Sequence, residues 1–239
     1  KITFGAHTYS DWKAFDTLSV EDVIVFSSNV GTIKIGQRVG GEALRAFASK
    51  LGCGRTTVPE IPGSEPGYIR WSAGWAPSAT ASMSIGYGLA VTPLQLASIY
   101  SIFANGGYKV RPRILIDTPI DQPERVISEQ TAKQVNSVLS QTVLRGTAKN
   151  GQPKEYFAAG KTGTARRYDH ERAAYDSNRV TCVFTGFAPA DSPLISVCVV
   201  IDDPQKQKWS SQVTALLFSR IVDQTLLYLG EPPERKVTA

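Results

Sequence analysis

The chain has 239 residues, 42% hydrophobic and 20% charged, which excludes a disordered segment and supplies apolar material for one globular domain or most of one. Its net charge of +5 comes from 26 basic and 21 acidic residues; they are scattered, so no basic run marks a nucleic-acid surface. Three cysteines without a CxxC spacing and two distant histidines, His7 and His170, point to no zinc site and no dense disulfide framework, and the expectation is a protein without metal or cofactor. No run of about 18 apolar residues occurs, and the opening Lys1-Ile2-Thr3-Phe4 is neither a signal peptide nor an initiator methionine. The sequence therefore reads as an excised, N-terminally truncated piece.

Along the chain, Ser19 ahead of Val20-Glu21-Asp22 and the apolar Val23 to Phe26 predicts a capped helix start. That short helix runs directly into Ser27-Ser28-Asn29. A second helix is predicted over 42–51, with Ala43, Phe47 and Leu51 on one face and Gly52 as its stop. From 53 to 82, Pro59, Pro62, Pro66 and Pro77 interleave with Gly54, Gly63, Gly67 and Gly74, a punctuation that excludes long regular elements. Trp71 and Trp75 are expected to pack this loop down. Thr92-Pro93 opens a helix that runs through Phe103 and ends at Gly106-Gly107. Ser128 opens another, with Ala132, Val135, Leu139 and Val143 in one stripe and Gly146 as its close.

From Phe157 the period changes. Segments 157–165, 180–188 and 194–201 are short, apolar and β-branched, and Pro189-Ala190-Asp191-Ser192-Pro193 suits an antiparallel hairpin between the last two. Three paired strands are predicted, then a helix over 211–229 with Val213, Leu217, Ile221 and Leu229 near one face and Gly230 with Pro232 ending it. Helices, then strands, then a helix predict an α+β fold, an antiparallel sheet flanked by helices plus an all-helical subregion, rather than a doubly wound parallel sheet. One domain over 1–239 is expected, mainly helical over 19–150, with the sheet and C-terminal helix over 155–229. Cys182 and Cys198 fall on opposite arms of the hairpin about a midpoint in its turn, which leaves a cross-strand pairing open; free, buried cysteines are the default. His170, among Arg166, Arg167, Asp169 and Arg172, is placed in a strand connection, a solvated loop from which a site can be bordered.

Two motifs carry chemistry: Ser27-Ser28-Asn29 at a helix end and Lys161-Thr162-Gly163-Thr164 on the first strand. Either alone has a bland reading, a helix-terminal Ser/Asn cluster or an exposed strand lysine beside a glycine. Together, in this order and on these elements, they fit the active-site set of penicillin-recognising serine enzymes. The segments Phe26-Ser-Ser-Asn-Val-Gly31, Gly86-Tyr-Gly-Leu-Ala-Val-Thr-Pro-Leu-Gln95, Phe103-Ala-Asn-Gly-Gly107, Arg145-Gly-Thr-Ala148 and Ala159-Gly-Lys-Thr-Gly-Thr-Ala165 resemble those of class B penicillin-binding proteins. A β-lactamase would share the short motifs but not the contexts around Gly86 to Gln95 and Thr164-Ala165.

The resemblance implies the penicillin-binding-protein transpeptidase fold, which is β-lactamase-like. It also implies a peptidoglycan D,D-transpeptidase of cell division or cell shape, working through a serine acyl-enzyme and blocked by β-lactams. Its partners would be stem peptides ending in D-Ala-D-Ala, β-lactams, and divisome or elongasome proteins. It would sit on the outer side of the bacterial cytoplasmic membrane, anchored by a segment not in this chain. In that family pattern Ser27 relays a proton, Asn29 holds the substrate amide, and Lys161 reaches a pocket beside Ser27 across a shared groove. Thr162 and Thr164 share a strand face opposite to that of Lys161 and offer donors to the substrate carboxylate. Gly163 keeps the strand low so that substrate adds as a further strand, and the Thr164 amide serves an oxyanion.

The family's acylating serine belongs to an S-x-x-K motif roughly 50 residues ahead of S-x-N. The only literal match, Ser10-Asp11-Trp12-Lys13, lies too close to Ser27 and has no long helix after it. It reads as part of the segment leading into the S-x-N helix, with Lys13 an ordinary solvated lysine. The nucleophile is expected outside these residues. A noncatalytic β-lactam-binding, sensor or scaffold domain is the alternative that its absence raises.

Overall fold

The computed structural model describes residues 1–5, 7–70, 74–169, 171 and 174–235; Trp71, His170 and Arg172 lie outside them. The chain forms two compact units, Lys1–Ile99 with Tyr108–Val126, and Tyr100–Gly107 with Ile127 onward.

In the first unit a ribbon of β1 (Ile2–Phe4) and β2 (His7–Tyr9) precedes three helices, α1 (Val20–Val25), α2 (Asn29–Val39) and α3 (Gly41–Leu51). Ser19 caps α1 as expected, its Oγ accepting from Asp22 N at 3.0 Å. Helix α2 is not foreseen by periodicity, because Gly31 and Gly36 depress helix propensity. Packing explains both glycines: a Cβ on Gly31 would fall 2.5 Å from Val23 Cγ2, and one on Gly36 would fall 1.9 Å from Ser84 Oγ. They are where α2 closes on its neighbours. Helix α3 has the predicted bounds and stops at the left-handed Gly52. Its expected face is wrong, since Phe47 is 45% exposed while Leu44 and Ala48 turn inward. Two adjacent apolar rows run along this helix, and the row that starts beside Gly41 is the one that packs.

The loop reading of 53–82 is overturned only at its end, where Pro77 at the first helical position starts α4 (Pro77–Ser84). Before it, Trp75 donates its indole N–H to Glu42 at 3.0 Å. Strand β3 (Tyr68–Ile69), ahead of α4, pairs with β4 (Leu89–Ala90) after it; then come α5 (Pro93–Ala104), whose residues from Tyr100 on belong to the second unit, and the ribbon β5 (Tyr108–Lys109) with β6 (Glu124–Arg125). Gln95, 2% exposed, closes a capping box with Thr92: Gln95 N donates to Thr92 Oγ1 at 3.1 Å, and Thr92 N donates to Gln95 Oε1 at 2.8 Å. Its Nε2 then donates to the carbonyls of Arg55 and Pro66, both at 2.8 Å. One buried amide thus fastens the Pro/Gly loop to the start of α5.

The second unit holds α6 (Glu129–Leu144), a 3-10 turn at Lys149–Gly151, β7 (Ala159–Asp169), β8 (Ala174–Ala188), β9 (Ile195–Asp202) and α7 (Thr214–Tyr228). Ser128 caps α6, accepting from Thr131 N, and Ala132, Leu139 and Val143 form the buried stripe. The strands make one antiparallel sheet in the order β7-β8-β9. This is the predicted α+β pattern. Arg166, Arg167 and Asp169, expected in a connection, are part of β7, and a register shift after Arg166 carries the long arm to Tyr168, which packs edge-on against Tyr175 at 5.3 Å. Cys182 lies opposite Ile201 and Cys198 opposite Thr185, so the two cysteines are out of register and free.

Phe184 is the centre of this unit. Its ring stacks on Phe218 of α7 at 4.3 Å, among Val143, Tyr156, Ala215, Val222 and Leu226. The buried row of α7 is therefore Ala215, Phe218, Val222 and Leu226, while the expected Leu217, Ile221 and Leu229 are exposed. This helix too carries two apolar rows, and the aromatic stack selects between them. Phe218→Ala is expected to cost about 3 to 5 kcal/mol, and Leu217→Ala less than about 1 kcal/mol. Urea denaturation of both variants checks the assignment; equal losses would contradict it.

Candidate active site

The first motif bridges two helices. Phe26 ends α1, Ser27 N donates to Ile24 O at 3.1 Å and Ser28 N donates to Val23 O at 2.9 Å, the paired bonds of a Schellman turn. The residue between must be left-handed, and Ser27 has φ 55°. Glycine takes this conformation freely, whereas a side chain there costs about 1 to 2 kcal/mol. A serine therefore stands where the backbone alone favours glycine.

Ser28 is buried and caps α2, its Oγ accepting from Gly31 N and donating to Asp11 Oδ2, both at 2.9 Å. Asp11 Oδ1 accepts from Val30 N at 3.0 Å, which places a carboxylate at the helix N-terminus. Asn29, first residue of α2, donates through Nδ2 to Ser10 O at 3.2 Å. Trp12 Nε1 donates to Phe26 O at 2.9 Å, and Lys13 Nζ lies 4.8 Å from the Trp12 ring centroid and 5.0 Å from that of Phe15. Residues 10–13 are thus a brace around the Ser-Ser-Asn corner. Exposed Lys13 rests on aromatic rings. Sequence reasoning missed Asp11 and Trp12 as part of the corner, because nothing local marks a partner nearly twenty residues on.

The second motif lies on β7, an edge strand paired among the described residues with β8 alone, Lys161 opposite Thr185 and Thr164 opposite Cys182. Lys161 Nζ donates to Thr162 O at 3.1 Å. Part of the side chain reaches solvent, yet burial pushes its ammonium down from the usual 10.5 to about 8. Thr162 Oγ1 lies 3.3 Å from Thr147 Oγ1, which brings the Arg145-Gly-Thr-Ala148 segment to the strand. Gly163 is exposed, and the nearest atom to an added Cβ is Val183 Cβ at 3.9 Å, so packing does not require this glycine. Thr164 Oγ1 meets Ser210 Oγ at 2.7 Å. Ser210 was not foreseen, and no short-range pattern could find it. Ser27 to Asn29 belong to the first unit and Lys161 to Thr164 to the second.

Two outcomes follow from these environments. Ser27→Gly is expected to raise stability by about 1 kcal/mol, since it removes the left-handed penalty; a lower denaturation midpoint would refute the strain. For Lys161 the folded state binds the proton less tightly than the unfolded chain, so between about 8 and 10.5 the unfolded state holds more protons. Stability contributed here is lowest below about pH 8 and rises with pH up to about 10.5. Lys161→Met should flatten that rise in pH-dependent unfolding curves.

Against known proteins, a family profile described as the penicillin binding protein transpeptidase domain matches residues 1–223. The chain is 35% identical over 237 residues to the probable peptidoglycan D,D-transpeptidase PbpC of Pseudomonas aeruginosa, covering 98% of this chain and 41% of that protein. It is 34% identical to the probable peptidoglycan D,D-transpeptidase PenA of Neisseria gonorrhoeae, covering 98% and 40%. The chain spans about two fifths of the length of these curated relatives. Among solved structures, the apo transpeptidase domain of penicillin-binding protein 3 from Burkholderia pseudomallei superposes with a TM-score of 0.85 at 33% identity, over 95% of this chain and 69% of that one. Penicillin-binding protein 3 of Mycobacterium tuberculosis complexed with ampicillin gives 0.86 at 29% identity, over 97% and 56%. With sequence and backbone in agreement over nearly its full length, this chain belongs to the penicillin-binding protein transpeptidase family, alongside its class B members.

Proposed function

We propose that this chain carries the S-x-N and K-T-G-T parts of a serine-type peptidoglycan D,D-transpeptidase that cross-links stem peptides and is acylated by β-lactams. The observation that carries the reading is Ser27, a hydroxyl kept at a left-handed position that glycine would occupy at less cost. Lys161 supports it, because an ammonium lowered to about 8 gives up its proton near neutral pH far more readily than an exposed lysine.

In the proposed reaction Ser27 delivers a proton to the amine of the departing D-alanine, and Lys161 is the group whose lowered proton affinity suits it to proton transfer. Asn29 holds the substrate amide. The peptide lies along the open edge of β7 as an added strand, where exposed Gly163 offers no side chain to obstruct it. The Thr164 N–H serves the oxyanion, and the hydroxyls of Thr162 and Thr164, on one face of the strand, address the terminal carboxylate. The acylating serine has no candidate here: Lys13, the lysine of the only S-x-x-K, is engaged with aromatic rings rather than placed as a base. It is proposed to lie on chain outside these 239 residues, as are a membrane anchor and the surfaces for divisome or elongasome partners that the resemblance implies. The ampicillin complex of the M. tuberculosis relative agrees with a β-lactam-acylated site.

The test uses the full-length protein that contains this chain. Fluorescent penicillin should label it, and Ser27→Ala or Lys161→Ala should slow labelling by about 100-fold or more, the scale of lost proton transfer, with unchanged circular dichroism. Labelling at the parental rate in both variants would end the proposal. Labelling without any turnover of stem peptides would instead favour a β-lactam-binding sensor or scaffold.

A further inference from the structure

The first unit holds a cavity of about 330 Å³ that contains none of the motif residues. Leu51 at the end of α3, Pro59, Val110 and Pro112 give it apolar walls, and buried Gln95 lines it as well. A volume of this size, mostly apolar with a few polar groups converging on it, is the form that small-ligand sites take.

Three cations line the cavity, and two of them are neutralised. Lys109 Nζ pairs with Glu124 at 2.7 Å, and Arg111 pairs with Glu60 at 2.6 Å and with Asp121 at 3.4 Å. Arg55 has no acid. Among the described residues its guanidinium makes no hydrogen bond or ion pair, and the half-buried hydroxyls of Thr56 and Thr57, which also line the cavity, have no partner either. The backbone beneath them is anchored, because Gln95 Nε2 donates to Arg55 O at 2.8 Å. The surroundings are positive: the carboxyl of Glu124 is held below its usual range first by the bond from Lys109 and then by that ammonium's charge, with Lys50 and Arg55 adding to the pull.

A guanidinium with two neighbouring hydroxyls and no acid is the complement of an oxyanion. One unneutralised cation matches one negative charge, which selects a carboxylate over a doubly charged phosphate. The apolar walls select a ligand whose remainder is a ring or a short hydrocarbon chain. We propose that this cavity is a binding site for a small amphipathic carboxylate, its acid group held by Arg55, Thr56 and Thr57 and its apolar body laid against Leu51, Pro59, Val110 and Pro112. The inference uses none of the motif residues, so it stands or falls independently of the transpeptidase reading.

The test titrates the full-length protein that contains this chain, by isothermal calorimetry, with 4-phenylbutyrate and with 4-phenylbutanol, which keeps the ring and chain but not the charge. The acid should bind roughly tenfold more tightly than the alcohol, the order of a hydrogen bond to a charged group. Arg55→Ala should erase that difference by weakening the acid alone, and Arg55→Lys should restore part of it, since it returns the charge without the planar fork. Arg55 is exposed, and Gln95 holds its carbonyl rather than its side chain, so these variants leave the fold in place. Val110→Trp, which adds bulk to the apolar wall, should weaken both compounds. Acid binding that is absent in the parent, equal to that of the alcohol, or untouched by Arg55→Ala overturns the proposal, and tighter binding of phenyl phosphate than of the acid overturns the carboxylate assignment.

Discussion

The Ser-Ser-Asn corner is governed by one backbone constraint: α1 must stop and α2 must start within three residues, which forces a left-handed turn at residue 27. Everything around it serves that turn. Ser28 is buried because its hydroxyl ends one helix problem and begins the solution of the next, supplying the cap that α2 needs. Asp11 accepts from both the cap hydroxyl and a first-turn amide. The brace of residues 10–13 is therefore the outer wall of a strained turn. The strain at residue 27 is held in its backbone, and the bonds of the brace fall on Phe26, Ser28, Asn29 and Val30, its immediate neighbours.

In the second unit the comparable constraint is the space around Phe184. A Cβ on Gly151 or Gly160 would lie 2.5 or 2.7 Å from this ring, so both glycines are footprints of one aromatic side chain. With Phe218 it seats the sheet on α7. That seat holds β7 with Lys161 directly after Gly160, where burial lowers the lysine's proton affinity. The lowered proton affinity of Lys161 thus traces back to packing.

What could be read in advance follows from the range of each interaction. Caps at Ser19 and Ser128, the stop at Gly52, and the hairpin between β8 and β9 depend on neighbours a few residues away, and all were legible. Helix α2 was not, because its glycines answer to Val23 and Ser84 rather than to helix propensity. The faces of α3 and α7 were misassigned because each has two apolar rows, and only a tertiary partner, Phe184 for α7, selects one. The motif residues were visible as patterns. Asp11, Trp12 and Ser210 were not, since each reaches its partner across a stretch of chain that leaves no periodic trace.

Gln95 suggests how the long Pro/Gly stretch can change through evolution. It grips Arg55 and Pro66 through their carbonyls alone, and a carbonyl is common to all twenty amino acids. At those two points the loop is held whichever side chain the residue carries. A change of the Arg55 side chain therefore leaves this grip intact so long as Gln95 persists.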